Sequence, residues 1–157
     1  MDKTFPQLNL PAVNLSVRTE RGKTEVFDPV RRQYVALSPE EWVRQHIVHF
    51  LIHHKGYPQS RMAVEYSLQV NRLVKRCDIL VFDKQMQALL IVEVKAASVN
   101  LSQQVLEQAL RYNIAFRAPY LLLSNGIRHY MLCLPPDGDT RILDEIPAYS
   151  DMEKTRP

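Results

Sequence analysis

Apolar positions change period several times along this chain, and each change marks an element. Residues 1–12, with Pro6 and Pro11, show no period and suggest an extended arm. Over 13–37, two alternating stretches, 25–27 and 33–37, flank Asp28-Pro29-Val30-Arg31-Arg32. A proline after an aspartate favours a turn, so this segment predicts a β-hairpin. The period then becomes helical. Ser38-Pro39-Glu40-Glu41 supplies a capping serine, a proline at the first helical position and a glutamate three residues after the cap. Val43, Ile47, Phe50 and Leu51 recur at helical spacing, and Val48 and Ile52 widen the stripe. Gly56 and Pro58 end this helix, predicted over 39–55.

Three strand-like runs follow, at 62–68, 77–82 and 89–95. The second and third are apolar on both faces over most of their length, the mark of central strands covered on both sides. Their connections are short, which predicts an antiparallel meander. A second helix is predicted over 102–117, with Val105, Leu106, Ala109, Leu110 and Ile114 as its stripe and Pro119 closing it. Tyr120–Ser124 reads as a buried strand, Asn125-Gly126 as a tight turn and His129–Leu134 as a further strand. After Pro135 the chain becomes a polar tail. The expected fold class is α/β: hairpin, helix, three strands, helix and two strands, with helices around a mixed sheet. The expected organisation is a single domain over 1–157: arm 1–12, hairpin 13–37, core 38–134 and tail 135–157.

Composition narrows the classes. A chain of 157 residues can bury a core without staples. No apolar run approaches the roughly 18 residues needed to cross a bilayer. Met1-Asp2-Lys3-Thr4-Phe5-Pro6 lacks the apolar core of a signal peptide, so a cytoplasmic location and no membrane partner are expected. Cys77 and Cys133 sit inside apolar runs and are expected as buried free thiols, too few for a structural zinc site. A net charge of +3 permits nucleic-acid binding without arguing for it. The clusters Arg18/Arg21/Lys23, Arg31/Arg32 and Arg72/Lys75/Arg76 lie near turns, where they are either solvated loops or phosphate contacts.

Chemistry concentrates at two places. Glu93 and Lys95 are two apart in a strand, so they share a face at the end of an apolar run. Asp78 begins the neighbouring strand, and an antiparallel pairing brings it to Glu93. Two converging carboxylates repel unless a cation sits between them. Oxygen ligands suit Mg²⁺, with Mn²⁺ as a substitute. A lysine beside them can position a water or stabilise developing phosphate charge. An ion pair at the sheet edge satisfies the same spacing, and spacing alone leaves both readings open. His46, His49 and His53 form a second group, a stripe on the first helix with Trp42. No acid completes a zincin pattern there, so the stripe is expected to face solvent or a partner. Ser124 lacks a nucleophile elbow, and Asp137-Gly138-Asp139 lacks the other ligands of a calcium loop.

The order of these pieces resembles the PD-(D/E)xK nuclease superfamily. More narrowly, it resembles the N-terminal nuclease domain of type I restriction enzyme R subunits. The residues that carry the likeness are Ser38–Gln45, Arg76-Cys77-Asp78-Ile79-Leu80-Val81, Ile91-Val92-Glu93-Val94-Lys95-Ala96, Gln108 with Tyr112, and Ser124-Asn125-Gly126. The resemblance implies a restriction-endonuclease-like core and Mg²⁺-dependent hydrolysis of DNA phosphodiesters. Asp78 and Glu93 would be metal ligands, the Val94 carbonyl a third, and Lys95 the group that orients or activates water. Glu41 would assist a second metal, although its position is also that of a capping glutamate. Gln108 would reach the site or DNA, or be a plain surface residue. Tyr112 would stand beside DNA with Arg72, Lys75 and Arg76, or belong to the core. R subunits carry motor domains, but no Gly-x-x-x-x-Gly-Lys-Ser/Thr loop occurs in this chain, so no ATP site is expected in it. DNA recognition would then come from a partner subunit, a homodimer mate or backbone contacts. The alternative is a non-catalytic nucleic-acid-binding or assembly module with the same fold.

Overall fold

The first helix joins two sheets in a computed structural model that describes residues 4–157. Strands β1 (Val17–Glu20), β2 (Lys23–Asp28) and β3 (Gln33–Ala36) form a small antiparallel sheet. Helix α1 (Pro39–Lys55) then leads into β4 (Met62–Val70), β5 (Leu73–Phe82) and β6 (Ala88–Val94). Helix α2 (Gln103–Phe116) crosses over to β7 (Tyr120–Ser124), followed by β8 (His129–Cys133), β9 (Arg141–Leu143) and helix α3 (Tyr149–Lys154). The larger sheet runs in the order β4-β5-β6-β7-β8-β9; β6 and β7 are parallel and every other pair is antiparallel. The expected α/β fold and three-strand meander are therefore present.

Local chemistry explains both main helices. The Ser38 side chain accepts a hydrogen bond from the Glu41 N–H at 3.0 Å, and Gly56 takes φ 69° at the C-cap, so α1 occupies the expected span. Ser102 caps α2, and Asn113 pins its exit through two hydrogen bonds with Ala118, at 2.9 and 3.1 Å. A parallel pair needs a crossover connection, and α2 supplies it between β6 and β7.

Apolar side chains divide between the two faces of the large sheet. Leu90, Val92 and Leu122 pack with Val43, Ile47, Val48 and Leu51 of α1. Ile91, Leu121 and Leu123 pack with Ala109 and Phe116 of α2. Burying each such side chain contributes roughly 1.5–3 kcal/mol, so β6 and β7 anchor whatever stands at their ends. Cys77 and Cys133 are buried and free, as expected.

One expectation is extended and two are corrected. The expected hairpin is present as β2 and β3, and β1 pairs with β2 as a third strand. β1 is exposed along its whole length, so it carries no alternation to detect; the turn Arg21-Gly22, with φ 50° and 76°, is its one sequence signal. The tail is not a plain polar segment, because β9 and α3 lie in it and Ile146, Tyr149 and Met152 join the α1-side core. The His stripe does not face solvent throughout. The N-terminal arm folds over its first turn: Phe5 stacks on Trp42 at 5.0 Å, and the Trp42 indole donates to the Pro6 carbonyl at 3.0 Å. His46 is buried beneath, donating from Nδ1 to the Trp42 carbonyl at 2.7 Å, and burial lowers its pKa.

The β5–β6 register shifts between Val81 and Phe82, and β4 has an irregularity of another kind. Glu65 adopts φ 52°, and the alternation of β4 slips there. Met62 and Val64 pack on the α1 side, whereas Tyr66 and Leu68 pack on the α2 side. The partner strand slips opposite it, with Cys77 on the α2 side and Ile79 on the α1 side. The register is unbroken across this kink, so both strands turn their side chains over together.

Candidate active site

The register of the meander sets three acids in one row. Ile79 pairs with Val92, so the next rung places Asp78 opposite Glu93. On the other side of β5, Val64 pairs with Ile79 and Tyr66 with Cys77, which leaves Glu65 across from Asp78. Lys95 follows the end of β6, its N–H donating to the Ser124 carbonyl at 2.9 Å beside β7. The N-terminal turn of α1 brings Glu40, Glu41 and Arg44 to the same place, beside a cleft of about 810 Å³ lined by Arg31, Glu40, Arg44, Glu65 and Ala96, among others.

Each carboxylate has a different environment. Asp78 Oδ2 accepts from the Val94 N–H at 2.7 Å, which ties the side chain to β6. Its Oδ1 accepts from Arg44 Nη2 at 2.8 Å. Glu93 has no such answer: its Oε1 is buried without a hydrogen-bond partner, and no salt bridge reaches Glu93 or Lys95 among the described residues. Burial first, and the Asp78 charge second, push the Glu93 pKa up to about 8, with Lys95 opposing. The ion-pair alternative is thus met at Asp78, by an arginine from α1, and not at Glu93.

Glu41 lines the same cleft, with its carboxylate already engaged inside the protein. Its carboxylate accepts from Arg31, Arg44 and Gln45, the last at 3.0 Å. Arg31 in turn bridges to Asp28 at 2.7 Å and to Glu65 at 3.3 Å, so it is a structural cation and not a loop charge. The α1 acid that senses the site is Glu40. Its pKa is raised by burial and then by Asp78, and Arg44 and Lys95 pull it back. Glu40, Arg44 and Glu65 were not singled out from the sequence. The i,i+4 spacing of Glu40 and Arg44 was an available signal, whereas Glu65 needed the strand register.

The remaining candidates make no hydrogen bond or ion pair with these acids. Gln108 is exposed on α2 and has no hydrogen bond to Asp78 or Glu93. Tyr112 is half-buried, and the Lys75 ammonium stands 5.5 Å from its ring centroid, a cation–π contact across α2 and β5. Arg72 and Arg76 are exposed on the β4–β5 hairpin.

Among the described residues, no three His, Cys, Asp or Glu side chains gather into a cage for a metal ion. Two opposed carboxylates with one buried, unpartnered oxygen nevertheless fit a hard cation that keeps much of its own water, as Mg²⁺ does.

A helix, an antiparallel meander with acids on adjacent strands, a crossover helix and a parallel fourth strand define a restriction-endonuclease-like, PD-(D/E)xK-type nuclease fold. The chain belongs to the family described as type I restriction enzyme R protein N terminus (HSDR_N), whose model matches residues 39–147, from the start of α1 to just before α3. A fragment assigned as an HsdR subunit of a type I restriction enzyme from Vibrio vulnificus YJ016 is similar in fold, with a TM-score of 0.56 at 17% identity. That match covers 75% of this chain and 25% of the other, so this chain spans a quarter of its relative's length. The type IIG restriction endonuclease BpuSI matches at 24% identity and a TM-score of 0.47, over 67% of this chain and 13% of that one. A protein assigned as a DUF820 nuclease from Anabaena variabilis ATCC 29413 matches at 14% identity and a TM-score of 0.46, over 92% of this chain and 88% of that one. No curated protein matches the chain. No helix among the described residues is long and apolar enough to cross a membrane.

Proposed function

We propose that this domain is a Mg²⁺-dependent endonuclease that hydrolyses DNA phosphodiesters. The observation that carries the reading is the Glu93 carboxylate, set opposite Asp78 with a buried oxygen that nothing in the protein satisfies. Unpaired buried carboxylates are costly, and a cation between the two acids removes that cost. Asp78, Glu93 and the Val94 carbonyl would hold Mg²⁺, with Mn²⁺ as a substitute. When bound, the ion polarises a phosphoryl oxygen and acidifies water.

The chain's own residues do the rest. The Val94 N–H keeps the Asp78 carboxylate against β6 at 2.7 Å, which holds the two acids at fixed separation. Lys95 shares the strand face of Glu93; its ammonium orients the attacking water and answers negative charge on the phosphate. Arg44 contacts Glu41 and Glu65 as well as Asp78, so it keeps partners when Asp78 turns to another cation. DNA as substrate, a partner subunit or second copy, and a cytoplasmic location go with membership of the R-subunit family.

One observation favours a second reading, a nucleic-acid-binding or assembly module without turnover: Arg44 already neutralises Asp78. A nuclease assay with Mg²⁺ or Mn²⁺ tests the first reading, using wild type, Asp78→Ala and Lys95→Ala. Cleavage by the wild type alone supports it, and equal activity in all three sinks it. Calorimetric titration with Mn²⁺ separates the two readings, since the second expects no binding.

A further inference from the structure

Strands β4 and β5 pair from Met62–Val81 out to Val70–Leu73, while β6 pairs with β5 only from Ile79 to Phe82. Beyond Asp78 the two strands therefore continue as a free two-stranded ribbon. It closes on Asn71-Arg72, both with positive φ, 49° and 67°, the turn type that matches strand twist. Six residues separate Asp78 from Arg72, a reach of about 20 Å at roughly 3.3 Å per residue.

The two faces of this ribbon differ. On one, Tyr66 and Leu68 rest against the α2-side core and Lys75 lies over Tyr112. The other face carries the rungs Ser67–Arg76 and Gln69–Val74, all four side chains exposed. Residues 66–77 contain three cations, Arg72, Lys75 and Arg76, and no acid. At its base the open face meets Glu65, which lines the cleft, and Asp78, an acid of the candidate metal position.

We infer that the open face of the β4–β5 ribbon docks duplex DNA and lays its backbone across the Asp78–Glu93 row. The inference rests on the nuclease reading for its consequence, but the docking itself does not need catalysis. A strand pair about 4.8 Å apart enters a major groove about 12 Å wide. Arg72 and Arg76 answer phosphates, and Ser67 and Gln69 offer hydrogen bonds to phosphates or base edges. α2 braces the far side, so the ribbon is ordered before DNA arrives. Leu73 and Val74 are exposed near the tip, as a protein interface also requires. Arg72 and Arg76, with no acid anywhere in residues 66–77, select a polyanion as the occupant.

Binding of a short fluorescein-labelled duplex, followed by anisotropy in EDTA so that no cleavage occurs, tests this. The proteins are wild type, Arg72→Glu/Arg76→Glu and the charge-matched control Lys23→Glu/Lys154→Glu. The ribbon variant is expected to bind at least about tenfold more weakly, with the slope of log affinity against log salt reduced by about 0.9 per lost phosphate contact. The control should stay near wild type, and circular dichroism should show all three folded. No binding by the wild type at low salt overturns the inference. So does an equal loss in the ribbon variant and the control. A ribbon variant that binds duplex normally but no longer self-associates also overturns it, by making the face a protein interface. The readings fail separately: wild type that binds through the ribbon but cleaves nothing refutes hydrolysis alone. Wild type that cleaves while the ribbon variant binds duplex normally refutes the ribbon alone.

Discussion

Asp28 and Glu93 are both acids with carboxylate oxygens withdrawn from water, and the chain treats them oppositely. Asp28 is fully buried and accepts four hydrogen bonds, from the Val30 and Arg31 N–H groups at 2.8 Å each, from Arg31 Nε at 2.7 Å and from Gln45 Nε2 at 2.9 Å. Those bonds close the β2–β3 turn and tie the small sheet to α1. Glu93 keeps one buried oxygen with no partner and faces a second carboxylate. A satisfied buried acid is a structural element. An unsatisfied one beside another acid is a site whose missing partner comes from outside the chain.

The largest way to break this contrast is at Asp28. Asp28→Ala leaves two turn N–H groups unanswered and strips Arg31 and Gln45 of one of their acceptors, and should cost about 3–5 kcal/mol in urea unfolding. A loss under about 1 kcal/mol would show that the network is ornamental. At the other site the order reverses: function falls and fold stays. Asp78→Ala and Lys95→Ala should each reduce cleavage at least about 100-fold with little change in urea midpoint. Only Asp78→Ala should also abolish Mn²⁺ binding.

Glu93 provides a pH test of intermediate size. Its carboxyl pKa is raised in the folded protein, so folding favours the protonated form. The stabilisation is full below the ordinary value of 4.5 and is lost as pH rises through about 8. Metal-free wild type should therefore lose stability over that window, on the order of a few kcal/mol. Glu93→Gln should show no such decline, and Mg²⁺ should restore wild type at the alkaline end. A pH-independent melting temperature in EDTA would refute the raised pKa. The smallest expected effect is at Arg44, the internal cation on Asp78. Arg44→Met should tighten Mn²⁺ binding by about tenfold, roughly 1.4 kcal/mol, in calorimetry. Weaker binding would assign Arg44 to holding the site open instead.

Much of this layout was legible beforehand. Ser38, Pro39 and Gly56 bound α1, and the apolar runs at 79–82 and 89–94 identified the central strands, because capping and two-sided burial leave local marks. The β1 strand and the elements after Pro135 were not legible. β1 has no buried face, and α3 is held by Tyr149 and Met152 through contacts far along the chain, such as the 2.9 Å hydrogen bond from Tyr149 to the Phe82 carbonyl. The Trp42 stripe looked like a partner surface because an arm without period gives no sign of where it will lie.

By itself the sequence determined the meander, the helices that flank it, and the convergence of Asp78 with Glu93 and Lys95. Strand period and connection length dictate these, and both are local. Tertiary structure alone decided which charges answer which. Arg44 reaches Asp78, 34 residues away, and Arg31 turns inward to Asp28, Glu41 and Glu65. The kink at Glu65, with φ 52°, sets a third acid in the row. Electrostatic pairing depends on distances between elements, and no local pattern encodes them. That is why the sequence located two acids and only the folded chain shows that one of them is left without a partner.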